Sequence, residues 1–318
     1  MVQVDLITGF LGAGKTTFLR KYVHWLNARG QRVCILENDF GAVNVDVMLL
    51  QDLLGDNCDI ETISGGCDCD THQRRMRTKL ISLAMQGFAR VLVDPSGIFD
   101  VDEFYDVLRD EPLDRWYTLG NVIAIVDALL ETQLSPQGEY LLASEAASAG
   151  MVLMSRYQLA APGQAEATLA HLNRALEACH CARRFAADTD ALCKPWDALT
   201  DADMQRLDSC GHCQASYVKL HFDEHKAFTS LYFMELHLTL PQLQDAARAL
   251  FADPACGHIL RIKGFLQTVD GWCELNATRD TMHVEAIPDG QEVLIIIGEE
   301  LDRSAIEAHI GQKTADQE

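Results

Sequence analysis

Residues 2–17 read VQVDLITGFLGAGKTT, and the fold is decided there. VQVDLIT alternates into a short strand, and GFLGAGKT at Gly9–Thr16 fits G-x-x-x-x-G-K-[ST]. The pattern KTTFLRKYVHWLNARG then reads as a helix closed by Gly30. A strand, a glycine loop and a helix in that order form a cradle for phosphate. Glycines let the backbone wrap the anion, and the helix N-terminus adds partial positive charge. Gly9, Gly12, Ala13, Gly14, Lys15, Thr16 and Thr17 are the candidate nucleotide contacts. Lys15 is suited to the β- and γ-phosphates and the Thr16 hydroxyl to Mg²⁺, which makes both catalytic candidates. The bland alternative, a chance glycine-rich turn, does not require a strand before it and a helix after it.

Outward from this unit, RVCILEN, CDIETIS, RVLVD, NVIAIVDA and MVLM are short runs rich in β-branched residues, separated by helical patterns such as RRMRTKLISLAMQG. Strands that do not alternate are buried on both faces, as in a parallel sheet sandwiched by helices. The expectation is an α/β P-loop domain with a doubly wound, mainly parallel sheet over residues 1–205. A Cys/His-containing linker at 206–215 and a smaller α+β domain at 216–318 should follow. In that second domain YVKLHF, LYFMELHLTL, HILRIKGFLQTV, GWCELNA, MHVEAI and EVLIIIGEEL read as strands, with helices at LPQLQDAARALFA and RSAIEAHI.

The formal charge of −21 opposes phosphate backbones and anionic lipid, which argues against nucleic acid and membrane surfaces as partners and suits cationic ligands. MVQVDLITGF lacks the charged and apolar regions of a signal peptide, so the cytoplasm is the expected location. Eleven cysteines without such a signal point to thiols and metal ligands rather than a disulfide framework, with Cys34 in RVCIL the clearest small buried hydrophobe. The composition is compatible with a monomer or a homodimer.

Three further segments should open on the carboxyl edge of the sheet, where open α/β sheets bind ligands. RVLVDPSG places Asp94 at a strand end as a catalytic and Mg²⁺-holding candidate, with Gly97 able to approach the γ-phosphate. ENDFGAVNVD carries Glu37 and Asp39 as switch or metal candidates. GGCDCD at 65–70 sets Cys67 and Cys69 against Asp68 and Asp70, on opposite faces if the segment is extended. The bland readings are a strand-end aspartate capping a turn and a loop of solvated polar residues.

The order GFLGAGKTT, ILENDFG, GGCDCD, VLVDPSG, IAIVDA and then RIKGFL and IIIGEEL resembles the CobW-type P-loop GTPases over nearly the whole chain. That resemblance implies a slow nucleotide hydrolase that carries a transition metal, Zn or Co, to a client metalloprotein or a corrinoid-pathway enzyme. It implies a metal site on Glu37, Cys67, Cys69 and Asp70, with Thr16 and Asp94 serving Mg²⁺. Three positions depart from the family pattern. Asp70 stands where a third thiol belongs, Asp94 where the Walker B residue is Glu, and SRYQ (Ser155 to Gln158) where the base-reading N-K-x-D belongs. Ser155, Arg156 and Gln158 are the matching base-side candidates, with Arg156 able to stack on a base of either kind, and the nucleotide is GTP or ATP. A mixed sulfur and oxygen set suits Zn²⁺ or Co²⁺ better than Cu(I).

CGHC at 210–213 has the spacing of a metal half-site and of a redox pair, and QASYVKLHF after it lacks the long helix of the latter. With Cys179, His180, Cys181, His221 and His225 it could form a second metal site; scattered thiols are the alternative. Two rival functions stay open: a degenerate nucleotide- and metal-binding regulatory protein with little hydrolysis, and a small-molecule kinase, for which no Arg-rich lid is found.

Overall fold

The computed structural model describes residues 1–39, 45–64, 69–95, 101–220, 227–234 and 236–311. The chain forms two compact units, Met1–His221 and Phe222–Glu318. Among the described residues no helix is long and apolar enough to cross a membrane.

In the first unit the strands are β1 (Val2–Thr8), β2 (Val33–Asp39), β3 (Cys58–Ser64), β4 (Arg90–Pro95), β5 (Tyr117–Asp127), β6 (Met151–Ser155) and β7 (Ala191–Leu192). They form one sheet in the order β3-β2-β4-β1-β5-β6-β7, and every pairing is parallel. The connecting helices are α1 (Lys15–Asn27), α2 (Val45–Leu50), α3 (Cys69–Ala84), α4 (Val101–Arg109), α5 (Leu113–Trp116), α6 (Pro136–Ala147), α7 (Gln164–Ala178) and α8 (Asp201–Asp208). Helices on both faces explain why β4 is buried at every position and β6 likewise. Phe18, Leu19, Tyr22, Val23 and Leu26 of α1 pack on Ile7, Ile35, Leu92 and Ile123 of the sheet, a stripe at helical spacing meeting four strands.

Asp5 interrupts that apolar surface. It is the charged position of VQVDLIT, yet both faces of β1 are covered and it is fully buried. A buried carboxylate must be paired and hydrogen-bonded to be tolerated. Asp5 Oδ1 accepts from the Asn121 backbone N–H at 2.8 Å and from Gln3 Nε2 at 2.9 Å, and Oδ2 accepts from Arg90 Nη1 at 2.9 Å. The Tyr22 hydroxyl accepts from Arg90 at 2.7 Å and lies 2.8 Å from Asp208 Oδ1. Burial, then the Asp5 carboxylate, push the Tyr22 pKa well above the usual phenol range, so it stays a hydroxyl.

The same group corrects the expected linker at 206–215. Asp208 pairs with Arg90, Asn121 Nδ2 donates to the Asp208 carbonyl at 2.8 Å, and Gly211 N–H donates to Asn121 Oδ1 at 2.9 Å. Asp208 and Gly211 are therefore bonded to β5, and 206–215 lies within the first unit. YVKLHF is corrected too: residues 217–220 form no strand, and 221–226 lie outside the described residues.

The second unit holds β8 (Thr229–Met234), α9 (Leu240–Ala252), β9 (His258–Thr268), β10 (Gly271–Ala277), β11 (Met282–Ile287), β12 (Val293–Glu299) and α10 (Arg303–Ile310). Its sheet, β11-β10-β9-β12-β8, is antiparallel throughout. The strand expected from LYFMELHLTL stops at Met234, because Thr239 caps α9 through a reciprocal pairing with Gln242 and Pro241 sits in the first turn. Leu243, Ala247 and Leu250 of α9 and Ile306 and Ile310 of α10 pack with Ile259, Ile262, Leu294 and Ile296 of the sheet.

Arg90→Ala leaves the Asp5 carboxylate buried without its cation. We expect a loss of about 3–5 kcal/mol, read as a lowered urea midpoint of the first unit. A change below about 1 kcal/mol would mean that the pair behaves like a surface contact.

Candidate nucleotide and metal site

The glycine loop leaves the end of β1, the central strand of the row. Gly9 has φ +147, and a Cβ there would lie 2.4 Å from the Ile125 carbonyl oxygen, so only glycine lets the chain turn this close to β5. The Gly9 N–H donates to the Glu145 carboxylate of α6 at 3.1 Å, while Thr8 Oγ1 donates to the Glu145 carbonyl at 2.7 Å. Glu145 is itself buried, and together these bonds anchor the start of the loop. Gly14, at φ +104, precedes α1 and offers it no capping side chain; no acidic residue occupies the first turn. No side chain caps the N-terminal end of α1, and its partial positive charge suits an anion. Lys15 folds back over the loop, its Nζ donating to the Gly9 carbonyl at 3.2 Å. Gly12 and Ala13 lie inside the same loop, with Ala13 buried, Thr16 half-buried and Thr17 exposed.

The order of the strands brings the other candidates to this loop. β4, whose penultimate residue is Asp94, lies between β1 and β2. Glu37 of β2 and Asp94 of β4 are in-register partners. They are 3% and 4% exposed, two carboxylates buried side by side at the carboxyl ends of neighbouring strands. Parallel strands in register point paired side chains to one face, about 4.8 Å apart along the hydrogen-bonding direction. β3 adjoins β2 on the far side and leads into the GGCDCD segment.

That segment corrects the expected extended alternation. The backbone of Cys69 and Asp70 opens α3, five residues before the helix expected from RRMRTK. Successive positions there turn by about 100° rather than alternating between two faces. Gly65, Gly66, Cys67 and Asp68 lie outside the described residues, as does Gly97.

On the other side of the loop, Ser155 ends β6 and is buried, with no hydrogen-bond partner for its Oγ. Arg156 does not stand open to stack on a ligand as expected. It adopts the left-handed conformation at φ +50, forms an ion pair with Asp127 of β5, and donates from Nη2 to the Gly12 carbonyl at 3.1 Å. An arginine fork bridging a carboxylate and a loop carbonyl fixes the loop against the ends of β5 and β6. Gln158 is exposed in the short helical turn Tyr157–Leu159.

Glu145, Asp127 and Trp196 were not singled out from the sequence. Trp196 donates from Nε1 to the Met154 carbonyl at 2.8 Å, and its ring edge reaches 3.4 Å from where a Gly14 Cβ would stand. KPWDAL carries no motif that marks it. Asp127 lies in the strand run NVIAIVDA and so had a positional signal at a strand end. Glu145, inside a helix rich in alanine, had none.

Among the described residues the Cys/His run is not gathered into a site. The Cys210 thiol, pushed up to about 12 by burial and then by Asp5, donates to the Val122 carbonyl at 3.8 Å. The Cys213 N–H pairs with the Ser148 carbonyl. Among the described residues, Cys179, His180, Cys181, Cys193, Cys210 and Cys213 form no group of three metal-ligand atoms, and His221 and His225 lie outside those residues.

The profile described as "CobW/HypB/UreG, nucleotide-binding domain" matches residues 3–185, and "Cobalamin synthesis protein cobW C-terminal domain" matches 235–313. The chain is similar to the zinc chaperone YjiA of Escherichia coli, at 36% identity over 137 residues, 40% of this chain and 41% of that protein. It is similar also to the zinc chaperone YeiR of the same organism, at 33% over 133 residues, 41% of this chain and 39% of that one. These alignments span about two-fifths of the relatives' own length. The crystal structure of Zn(II)-bound YjiA GTPase from E. coli aligns with 98% of this chain and 99% of its own at 20% identity and a TM-score of 0.37, too distant to bear on the fold. By the match over residues 3–185, the chain belongs to the CobW/HypB/UreG family of nucleotide-binding proteins.

Proposed function

We propose that this chain is a GTP-dependent metal-delivery protein that takes up Zn²⁺ or Co²⁺ and hands it to a client metalloprotein. One observation carries the reading. The sheet order β3-β2-β4-β1 sets the segment after β3, Glu37, Asp94 and the glycine loop at four successive strand ends. A change in one of these places is then felt by its neighbour across a single strand spacing. The names of the similar zinc chaperones support the same reading.

The oxygen donors Thr16 and Asp94 are of the type that Mg²⁺ takes alongside phosphate oxygens. When bound with the nucleotide, Mg²⁺ would neutralise charge on the β- and γ-phosphates. The loop amides and Lys15 hold the triphosphate, and Glu145 keeps the Gly9 N–H in place. Water attacks the γ-phosphorus, the bond to the β–γ bridging oxygen breaks, and GDP and inorganic phosphate leave. Glu37, Cys67, Cys69 and Asp70 bind the cargo as a mixed oxygen and sulfur set, which borderline divalent ions favour. Loss of the γ-phosphate alters what stands beside Asp94, and through its register partner Glu37 alters the cargo site.

Lys15→Ala should abolish hydrolysis and most triphosphate affinity while leaving far-UV circular dichroism unchanged. Wild-type affinity in that folded variant would remove the loop from the mechanism. Base choice should be weak. Gln158 presents one acceptor and one donor where a carboxylate would accept twice, and Arg156 is engaged with Asp127 and Gly12. Dissociation constants for GTP and ATP should differ by less than about a hundredfold; a larger ratio would show that another residue reads guanine.

Cobalt titration tests the cargo site. Thiolate-to-metal charge-transfer bands should appear in the wild type, weaken as pH falls because protons compete for the thiolates, and lose their Cys67 and Cys69 contribution in the double serine variant. They should also shift in affinity when GTP replaces GDP. An affinity indifferent to nucleotide would leave a metal-binding protein with no delivery cycle.

A further inference from the structure

Asp253, Cys256 and His309 meet in the second unit, on residues no part of the proposed cycle uses. Their ligand atoms, one per residue, all lie within 4.8 Å of one another. Three elements supply them. Asp253 follows the last residue of α9, Cys256 closes the one-turn helix Pro254–Cys256, and His309 lies in the last turn of α10.

Each is held from behind. Asp253 Oδ1 accepts the Ala255 N–H at 2.9 Å, which directs Oδ2 to His309 Nε2 at 2.8 Å. The Cys256 N–H donates to the Asp253 carbonyl at 3.1 Å, and the Cys256 carbonyl accepts from the Asp302 N–H at 3.3 Å. The Asp302 side chain in turn caps α10 by accepting from Ala305 N–H at 2.8 Å. Ile306 and Ile310, buried in the core on either side of His309, set the rotation of that helix. The thiol is the innermost member, fully buried, while the imidazole and carboxylate are 28% and 37% exposed. An ion can therefore reach the group from solvent.

We propose that Asp253, Cys256 and His309 form a second binding site for a borderline divalent cation of the Zn²⁺ or Co²⁺ kind. A thiolate, an imidazole and a carboxylate are the three ligand types such ions take, whereas Mg²⁺ and Ca²⁺ take oxygen alone. Tetrahedral bonds of about 2.0–2.3 Å require ligand atoms roughly 3.3–3.7 Å apart, within small side-chain rotations of the arrangement present. Binding replaces the His309–Asp253 hydrogen bond with two metal bonds; the proton of that bond leaves for solvent as the imidazole takes its Nδ1–H form, and the Cys256 thiol proton is released to solvent as well. Three protein ligands leave the fourth position to water, so the site exchanges its ion rather than locking it in. The site differs from the Glu37, Cys67, Cys69 and Asp70 set in residues and in unit, and stands or falls independently of it.

The full chain carrying Cys67→Ser and Cys69→Ser, titrated with cobalt(II) chloride, isolates this site. A single-thiolate charge-transfer band should persist in that background. Adding Cys256→Ser should abolish it, and adding His309→Gln instead should weaken cobalt binding by more than about tenfold, since even outer-shell changes cost that much. His309→Gln keeps the buried thiol and alters a part-exposed side chain, so it decides the matter should Cys256→Ser not fold. No band in the background variant, a band surviving Cys256→Ser, or unchanged cobalt affinity in His309→Gln would each overturn the proposal. The trio would then be an ordinary hydrogen-bonded tie between a turn and a helix.

Discussion

Asp5 is the constraint on which the first unit is built. A carboxylate with no exposure, in the central strand of a parallel sheet, must be answered on every side. Arg90 answers from β4, Asn121 from β5, and both are tied through Asp208 to the end of α8. The register of β5 on β1 shifts between Val4 and Leu6, where Asp5 faces the β5 backbone. Gly120 is there because a Cβ would lie 2.3 Å from Asp5 Oδ1. One buried charge thus joins three strands and the end of α8.

The carboxyl edge is built by the opposite rule, with charges gathered there and held next to the loops. Glu145 fixes the first glycine of the loop, and Arg156 ties its middle to Asp127. Glu37 and Asp94 sit adjacent and buried. Preorganised donors and paired carboxylates are what a phosphate and a cation require, since little rearrangement is left to make when they bind.

Neighbours, rather than burial alone, sort the thiols. Cys34 and Cys58 lie in strands, and burial pushes both up, Cys58 to about 11, so they remain protonated and act as small hydrophobes. Cys210 belongs with them. Motif spacing alone makes CGHC the stronger metal candidate and gives Cys256 no weight, but the fold reverses that order. CGHC is bonded into the flank of β5, whereas Cys256 meets an imidazole and a carboxylate.

The sequence by itself determined the elements whose signals are local. VQVDLITGFLGAGKTT dictates strand, glycine turn and helix because glycine φ values, β-branched runs and helical spacing act over a few residues. The unalternating strands likewise announced a covered parallel sheet. The same local reasoning failed where a strong cap overrode a β-rich run, at Thr239, and where a Cys/His segment read as a linker was held by distant donors, at Asn121. The tertiary structure alone decided the order of the strands. Nothing local states that β4 enters between β1 and β2, yet that placement makes Glu37 and Asp94 neighbours. It alone also brought Arg156 to Asp127, Glu145 to Gly9, and His309 to Asp253 across 56 residues. Such pairings depend on which surfaces pack together, and packing is a property of the whole chain rather than of any stretch within it.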